Sequence, residues 1–511
     1  MEDSVDHNRH VLRADWSYLL PLLAFAAVLR VALSILYPNV ITPDELLQYK
    51  EQAYRIVTGQ GVIPWEFHVG ARTWLLPVLL VPIVYLTRLF STAPADLSIA
   101  IAVVSSLISL LIIPAGYKIA HDVSGKPAAR ITAWILAIWG ESVFFSSHFT
   151  ADTLVAVPLI WAIAIARNSG ESYASAVRFG ALLGLTAMIR MQLAPILAII
   201  AFLSLDIQVY RKQLVGMIAG ALPVLALFGL IDWMTWGWPF FSYWLNFYAN
   251  SKGVASFFGE SPFGFYLQQA RMNWSIMTPV VALTAVAGSI RAPKLALYTI
   301  VVVLVFSAVA HKEYRFIYPV LPILLTLCGI GTAQLVKFGS SRLQSSGNLA
   351  AAPALVVALL WGAGSAWSIT RFGMDQNLHR YSNLLIAVES INADPRACGV
   401  VLMDNTWGVG RSGLRDDIGM FSRLDALGGP TRGKAAALPY NRILAMQSDL
   451  RFMQGSGFRQ SARFDLADAG TVFIYARNTP CSSGGEQFLD QRWIDPKLDK
   501  LLAHLKIAFR W

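Results

Sequence analysis

Charge is scarce in this chain. Only 14% of its residues are Asp, Glu, Lys or Arg, while 55% are hydrophobic, and the mean hydropathy is +0.52. A soluble domain rarely carries so little charge. The net charge of +10 is no nucleic-acid footprint, because the basic residues are scattered among loops. Cysteine is also scarce. Of three, Cys328 lies in an apolar run, and Cys398 and Cys481 lie in the polar C-terminal region. A disulfide between the latter two needs an oxidising compartment, and two thiols alone leave the pairing open. No phosphate-cradling Gly-rich loop occurs. Metal-ligand spacing is absent, although Asp44 and Glu45 could in principle hold an ion. The N-terminus lacks a cleavable signal pattern: its first apolar run, 17–38, is long and holds Arg30. No internal repeat or low-complexity segment stands out.

Long apolar runs are what the chain has in abundance. They fall at 17–38, 74–92, 98–120, 131–147, 152–167, 174–189, 192–206, 214–233, 275–290, 294–310, 316–337 and 348–370. Most approach the ~20 residues a helix needs to cross a bilayer. Only helices and closed barrels satisfy their backbone in lipid, so the expected fold is an all-α polytopic membrane protein. Basic residues set the orientation. Arg9, Arg13, Lys126, Arg130, Arg167, Arg211, Lys212, Arg291, Lys294, Lys337 and Arg342 mark one set of connections. If these face the cytoplasm, residues 39–73, 147–152, 190–191, 234–274, 311–315 and everything after 371 face outward. The parity works if one segment fails to cross cleanly, and 74–92, with Pro77 and Pro82, is the expected one. That leaves about eleven crossings, the N-terminus inside and the C-terminus outside.

Residues 1–371 thus read as a transmembrane domain and 372–511 as a small extracytoplasmic α/β domain. In the latter, a helical pattern at 376–392 precedes strand-like runs at 398–403, 461–466 and 471–477, the last two separated by Asp468-Ala469-Gly470.

Charged and aromatic clusters recur on the outward side. Thr42-Pro43-Asp44-Glu45 follows the first run. Thr at the N-cap, Pro at N1 and Glu at N3 spell a capping box, and a helix so capped would hold Asp44 rigidly enough to serve as a general base. Gln48, Glu51 and Tyr54 continue that helical surface, which Gly59-Gln60-Gly61 breaks before Trp65, Glu66 and Arg72. An amphipathic surface helix would explain the same pattern. His311-Lys312-Glu313-Tyr314-Arg315 is either a solvated loop anchoring helix ends or a phosphate site, with Arg and Lys as charge-assisted donors and His311 as a proton carrier. Arg190 and Gln192 separate two apolar runs with almost no loop. There Arg190 is a snorkelling helix end or a second phosphate ligand. Asp152, after Ser146-Ser147-His148, reads as a helix cap. The aromatic stretch 234–274 interleaves rings with Asn246, Asn250 and Lys252 and includes Tyr266. It suits an interfacial belt, or stacking against a sugar.

Together these clusters resemble the GT-C mannosyltransferases of glycosyltransferase family 22. The family's first-loop pattern is matched by Pro43, Asp44, Glu45, Gln48, Glu51, Gly59, Gly61, Trp65, Glu66 and Arg72. Its His-Lys-Glu-x-Arg-Phe-x-Tyr-Pro motif is matched by His311, Lys312, Glu313, Arg315, Phe316, Tyr318 and Pro319. Ile189-Arg190-Met191-Gln192 is similar to a third element, and Asp232, Gly237, Asn246, Phe247, Asn250 and Gly259 to a fourth. Thr42 and Tyr54 stand where the family has His, and Trp236 and Phe258 where it has Tyr. The resemblance covers about residues 15–340. It implies a GT-C fold and an inverting transfer of a sugar, mannose above all, from a polyprenyl-phosphate donor to a glycan or glycolipid acceptor. In that reaction Asp44 is the base, assisted by Glu45. His311, Lys312, Arg315 and Arg190 hold the donor phosphate. Gln48, Glu51, Trp65, Glu66, Arg72, Asn246, Asn250 and Tyr266 line the substrate. No metal, cofactor or nucleic acid is expected, and membrane lipids are. The texture fits a prokaryotic relative in the cytoplasmic membrane, its site on the extracytoplasmic side. A transporter or flippase for a lipid-linked saccharide is the competing reading. It calls for ionisable groups near the bilayer midplane and repeat symmetry.

Overall fold

A computed structural model describes residues 15–342, 352–371, 380–403, 408–422, 438–446, 457–465, 470–482, 500 and 503–504. Arg9, Arg13, Asp468 and Ala469 lie outside the described residues, as does the start of the 376–392 pattern. The contacts divide the chain into two compact units. One holds residues 1–33, 103–230 and 258–375, the other 34–102, 231–257 and 376–511. Neither unit is a single block of sequence.

Among the described residues six helices are long and apolar enough to span a membrane: Trp16–Leu36, Pro94–Ile138, Ala151–Gly170, Tyr210–Trp236, Phe265–Arg291 and Tyr314–Gly339. Five shorter apolar helices accompany them, Leu75–Phe90 among these. This is an integral membrane protein. Large apolar side chains such as Leu20, Val28, Leu222, Val286 and Leu304 face outward, as lipid-facing surfaces require.

Within the first unit, helices Thr278–Arg291 and Leu321–Arg342 meet at two glycines. A Cβ built on Gly331 would lie 1.8 Å from the Thr284 carbonyl oxygen, and one on Gly288 would lie 2.1 Å from that of Leu327. Lipid offers no hydrophobic drive for helix pairing, so backbones that pack this closely supply the contact instead. Arg30, 1% exposed in the first span, donates to Ser109 Oγ at 2.7 Å and to the Leu136 carbonyl at 3.0 Å. A cation in hydrocarbon persists only with such partners.

The second unit contains five strands: β1 (Gly399–Leu402), β2 (Gly419–Ser422), β3 (Arg442–Ala445), β4 (Arg459–Phe464) and β5 (Val472–Ala476). Their order is β2-β1-β3-β5-β4. β1 runs parallel to β2 and β3, while β5 is antiparallel to both its neighbours. β1 is buried along its whole length, the pattern of a central parallel strand. Helix Ser382–Ala393 covers one face through Leu384, Ala387 and Ile391. Val401, Phe421, Tyr440, Ile443 and Phe473 fill the other. β2 and β3 are absent from the strand-like runs read in the sequence. β2 is four residues opening on glycine, and β3 opens on Arg442, whose guanidinium is buried against Asp394 at 2.5 Å. Neither shows the apolar alternation that marks a strand locally. Cys398, just before β1, and Cys481, after β5, form a disulfide, and Cys328 is a free, buried thiol.

Candidate active site

In the second unit the chain enters a helix at Pro43, with Thr42 buried just before it. The Glu45 carboxylate accepts from the Ile41 amide at 3.3 Å, and the helix start carries no side-chain cap bond of the kind a capping box needs. From Glu45 to Lys50 the helix is a π-helix, then continues as α from Glu51 to Thr58 and stops at Gly59, φ 74°. A π-segment is rare and frequently marks a functional site. Asp44 stands at its head, half-buried.

The return limb carries a second short helix, Trp65–Val69. Its Glu66 is buried and accepts from Gln48 Nε2 at 2.8 Å. Burial pushes the Glu66 carboxyl up to about 7, Arg72 opposing the shift and the Asp44 charge adding to it. Asp44, Gln48, Glu66 and Arg72 therefore form one electrostatic neighbourhood. Trp236 Nε1 donates to the Arg72 carbonyl at 3.0 Å, and Trp65 packs with Val69, Ala249 and Val254. Asp232 is fully buried and accepts from the Ser242 amide at 2.8 Å and hydroxyl at 2.6 Å. Asn250 donates to Asn246 at 3.0 Å on an exposed helix surface. Glu51 is fully buried, with its carboxylate engaged by backbone amides.

The first unit holds the cationic cluster. Asp152, with no exposed surface, bridges Arg190 and Arg315, the latter at 3.2 Å. Arg315 also donates through Nε and a terminal nitrogen to Glu313, both at 2.9 Å. The Arg190 and Arg315 guanidinium groups both lie over the Phe316 ring, 4.8 and 5.1 Å from its centroid. His311 Nδ1–H donates to the Gly259 carbonyl at 2.8 Å, and Nε2 faces Glu313 at 3.4 Å. With an oxygen acceptor at each nitrogen, the ring favours a proton on both. The hydrogen bond to Glu313 raises its pKa, against burial. Burial alone would lift the Glu313 carboxyl, but Arg315 and His311 outweigh it and hold it well below the usual carboxylate range. Lys312 turns its ammonium to the carbonyls of Ser261 at 2.7 Å and Ala310 at 3.4 Å. The Tyr266 hydroxyl, on a side chain 1% exposed, meets Arg190, Asp152 and Glu313 electrostatically and has no hydrogen-bond partner among the described residues.

Three carboxylates outside the expected site set prove central. Asp152 is an ion-pair bridge rather than a helix cap, a role Thr150 takes instead. Glu313 pairs with two of the expected phosphate ligands. Glu141 accepts from Trp139 Nε1 at 3.1 Å, Trp274 Nε1 at 2.7 Å, Asn273 Nδ2 at 3.3 Å and the Tyr314 hydroxyl at 2.5 Å. Its isolation in an apolar run was the one signal the sequence offered, since such a carboxylate must find partners. Among the described residues no group of three or more His, Cys, Asp or Glu side chains is arranged to hold a metal ion.

The fold defines the class first. ArnT of Cupriavidus metallidurans, solved with undecaprenyl phosphate, superposes with a TM-score of 0.60 at 14% identity, covering 92% of this chain and 99% of that one. The Archaeoglobus fulgidus oligosaccharyltransferase, tethered to an acceptor peptide, superposes at 0.50 and 13% identity, covering 91% and 74%. This is the GT-C membrane fold. The model of the Alg9-like mannosyltransferase family matches residues 21–399, and the chain belongs to that family. Mannosyltransferase APTG1 of Arabidopsis thaliana is 26% identical over 342 residues, 63% of this chain and 60% of that protein. GPI alpha-1,2-mannosyltransferase 3 of Bos taurus is 26% identical over 329 residues, 60% and 58%. The matched part thus spans about 60% of the length of these relatives.

Proposed function

We propose that this protein is an inverting mannosyltransferase that uses a polyprenyl-phosphate sugar donor and a glycan or glycolipid acceptor at the extracytoplasmic face of a cytoplasmic membrane. Asp44 takes the proton of an acceptor hydroxyl. That oxygen forms a bond to the anomeric carbon as the bond to the donor phosphate breaks, and the polyprenyl phosphate leaves with the electron pair. Glu45, Gln48, Glu66 and Arg72 orient the acceptor around Asp44. A base so placed contributes roughly 10²–10⁴ in rate. Family membership supports the reaction, and ArnT's bound undecaprenyl phosphate supports the donor class.

The observation that carries the reading is the Arg190–Asp152–Arg315–Glu313 cluster, built around the buried Asp152 and Arg315, beside a Tyr266 hydroxyl with no hydrogen-bond partner among the described residues. A buried hydroxyl without a partner is costly, and a ligand oxygen would satisfy it. Glu313 already engages Arg315 and His311 as an oxyanion would, and its side chain is the more exposed of the cluster's two acids. A donor phosphate displacing Glu313 gains bidentate, charge-assisted contacts to Arg315 and leaves Asp152 to hold the guanidinium in place. These cations would stabilise the charge that grows on the leaving phosphate.

Purified protein supplied with polyprenyl-phosphate mannose and membrane-extracted acceptors should transfer the sugar. Asp44→Asn should abolish transfer while leaving the protein folded, and Arg315→Ala should weaken donor binding at least tenfold. Equal transfer by wild type and Asp44→Asn removes Asp44 as the base. Unchanged donor affinity in Arg315→Ala removes the phosphate assignment.

A further inference from the structure

We propose that the C-terminal α/β domain is a positioning element for the loop that carries Asp44, acting through a junction between Glu51 and the segment 410–412. The proposal rests on the reading of Asp44 as the base.

The loop and the sheet share one core. Leu47 and Val62 are buried in the same apolar cluster as Leu384, Val400, Leu414 and Leu444. Neither half of that cluster is complete without the other. The polar part of the junction is more specific. Glu51 is 0% exposed. Its Oε2 accepts from the amides of Val62 at 2.8 Å and Arg411 at 3.0 Å, and its Oε1 accepts from the Ser412 amide at 2.8 Å. Successive backbone amides make an anion-binding concavity, and here the anion is a side chain of the first loop. A carboxylate with no exposed surface is very costly unless satisfied, so withdrawing the 411 and 412 amides would expel Glu51 from its seat.

Two further contacts fix the register. Arg411, 1% exposed, donates to Gln60 Oε1 at 3.0 Å and to the carbonyls of Leu414, Arg415 and Asp416 at 3.2, 3.2 and 2.8 Å. It ties the turn after the loop helix to the 411–416 bend. The Tyr54 hydroxyl donates to Asp416 Oδ1 at 2.9 Å, and Arg88 donates to the same carboxylate at 2.7 Å. Gly410 completes the fit. A Cβ there would lie 2.4 Å from Glu51 Oε1 and 2.5 Å from its carboxyl carbon.

Asp44 heads the same continuous helix, seven residues before Glu51. Seven residues of one uninterrupted helix, π and then α, separate the junction from the proposed base. A shift of the junction is therefore a shift of Asp44. Glu51, expected from the sequence to line the substrate, has its carboxylate spent on this seat.

The test uses the full chain in nanodiscs with polyprenyl-phosphate mannose and Gly410→Ala. Gly410 has no side chain to lose, so its substitution reads the junction rather than a substrate contact. We expect kcat to fall about 10- to 100-fold, as misplacement by ~1 Å does. Donor KM should stay within about twofold, and hydrogen exchange across 45–62 should rise. If Gly410→Ala does not fold, Tyr54→Phe should give the same split with a smaller fall of about two- to fivefold. Wild-type kcat in the variant, a raised donor KM in place of a lowered kcat, or unchanged exchange across 45–62 overturns the proposal. Absence of transfer by the wild type itself counts against the proposed reaction, and hydrogen exchange still decides whether 410–412 holds the loop.

Discussion

Buried carboxylates carry most of the residue-scale information in this protein, and each is handled differently. Glu141 is held by four side-chain donors, one of them the hydroxyl of Tyr314, the neighbour of Arg315. It therefore anchors the segment that carries the cationic cluster. Glu141→Ala removes the acceptor of four donors, two of them, Trp139 and Asn273, buried, and a buried donor left unpaired costs about 1–3 kcal/mol. The expected outcome is a lower unfolding temperature in detergent, with Tyr314→Phe lowering it less. Glu66 is held by one amide and sits near Asp44. Its ordinary value is 4.5 and its folded value about 7, so between those pH values the folded state binds more protons than the unfolded one. Stability from this group is then present at low pH and declines as pH rises from 4.5 toward 7. Glu66→Gln should flatten that decline in a series of thermal melts, and a slope identical to wild type would show that Glu66 does not titrate there. Sequence alone marked Glu66 as a site residue through a family motif. It could not foretell the shifted pKa, which arises from burial.

Elements show where local signals suffice and where they fail. The apolar runs are legible because a bilayer demands continuous hydrophobicity whatever the neighbours are. Helix pairing is less legible. Gly288 and Gly331 are single letters in two apolar segments until the helices meet and each glycine faces a carbonyl oxygen. Gly331→Val should cost at least about 1–3 kcal/mol by overpacking, seen as reduced thermal stability in detergent, whereas Gly339→Val, with nothing within 4 Å, should be tolerated. In the C-terminal sheet, β1 and β5 announce themselves by β-branched and aromatic runs, and β2 and β3 do not. Those two become strands because β1 offers each of them a parallel edge. Cys398 and Cys481, 83 residues apart, close the sheet region covalently. In the chain-entropy model a loop of that size constrains the unfolded state by about 4.5 kcal/mol. Cys398→Ser should therefore lower the unfolding temperature, and the same melt under reducing and oxidising conditions checks it.

At the scale of the whole molecule, the distribution of Lys and Arg predicts an orientation. A single cysteine placed at Ser172, beside the Arg167 connection, should react only with a membrane-permeant reagent, and one at Asn250 should react with an impermeant one; the reverse pattern inverts the proposed topology. The sequence by itself determined that this chain lives in a membrane and belongs with the GT-C mannosyltransferases, because hydropathy is additive along a segment and the motifs are contiguous. Only the tertiary structure decided which groups meet. Asp152 finds Arg190 across 38 residues and Arg315 across 163, and Glu51 finds Arg411 across 360. Buried charges must be neutralised or hydrogen-bonded, and the fold alone brings their partners within reach.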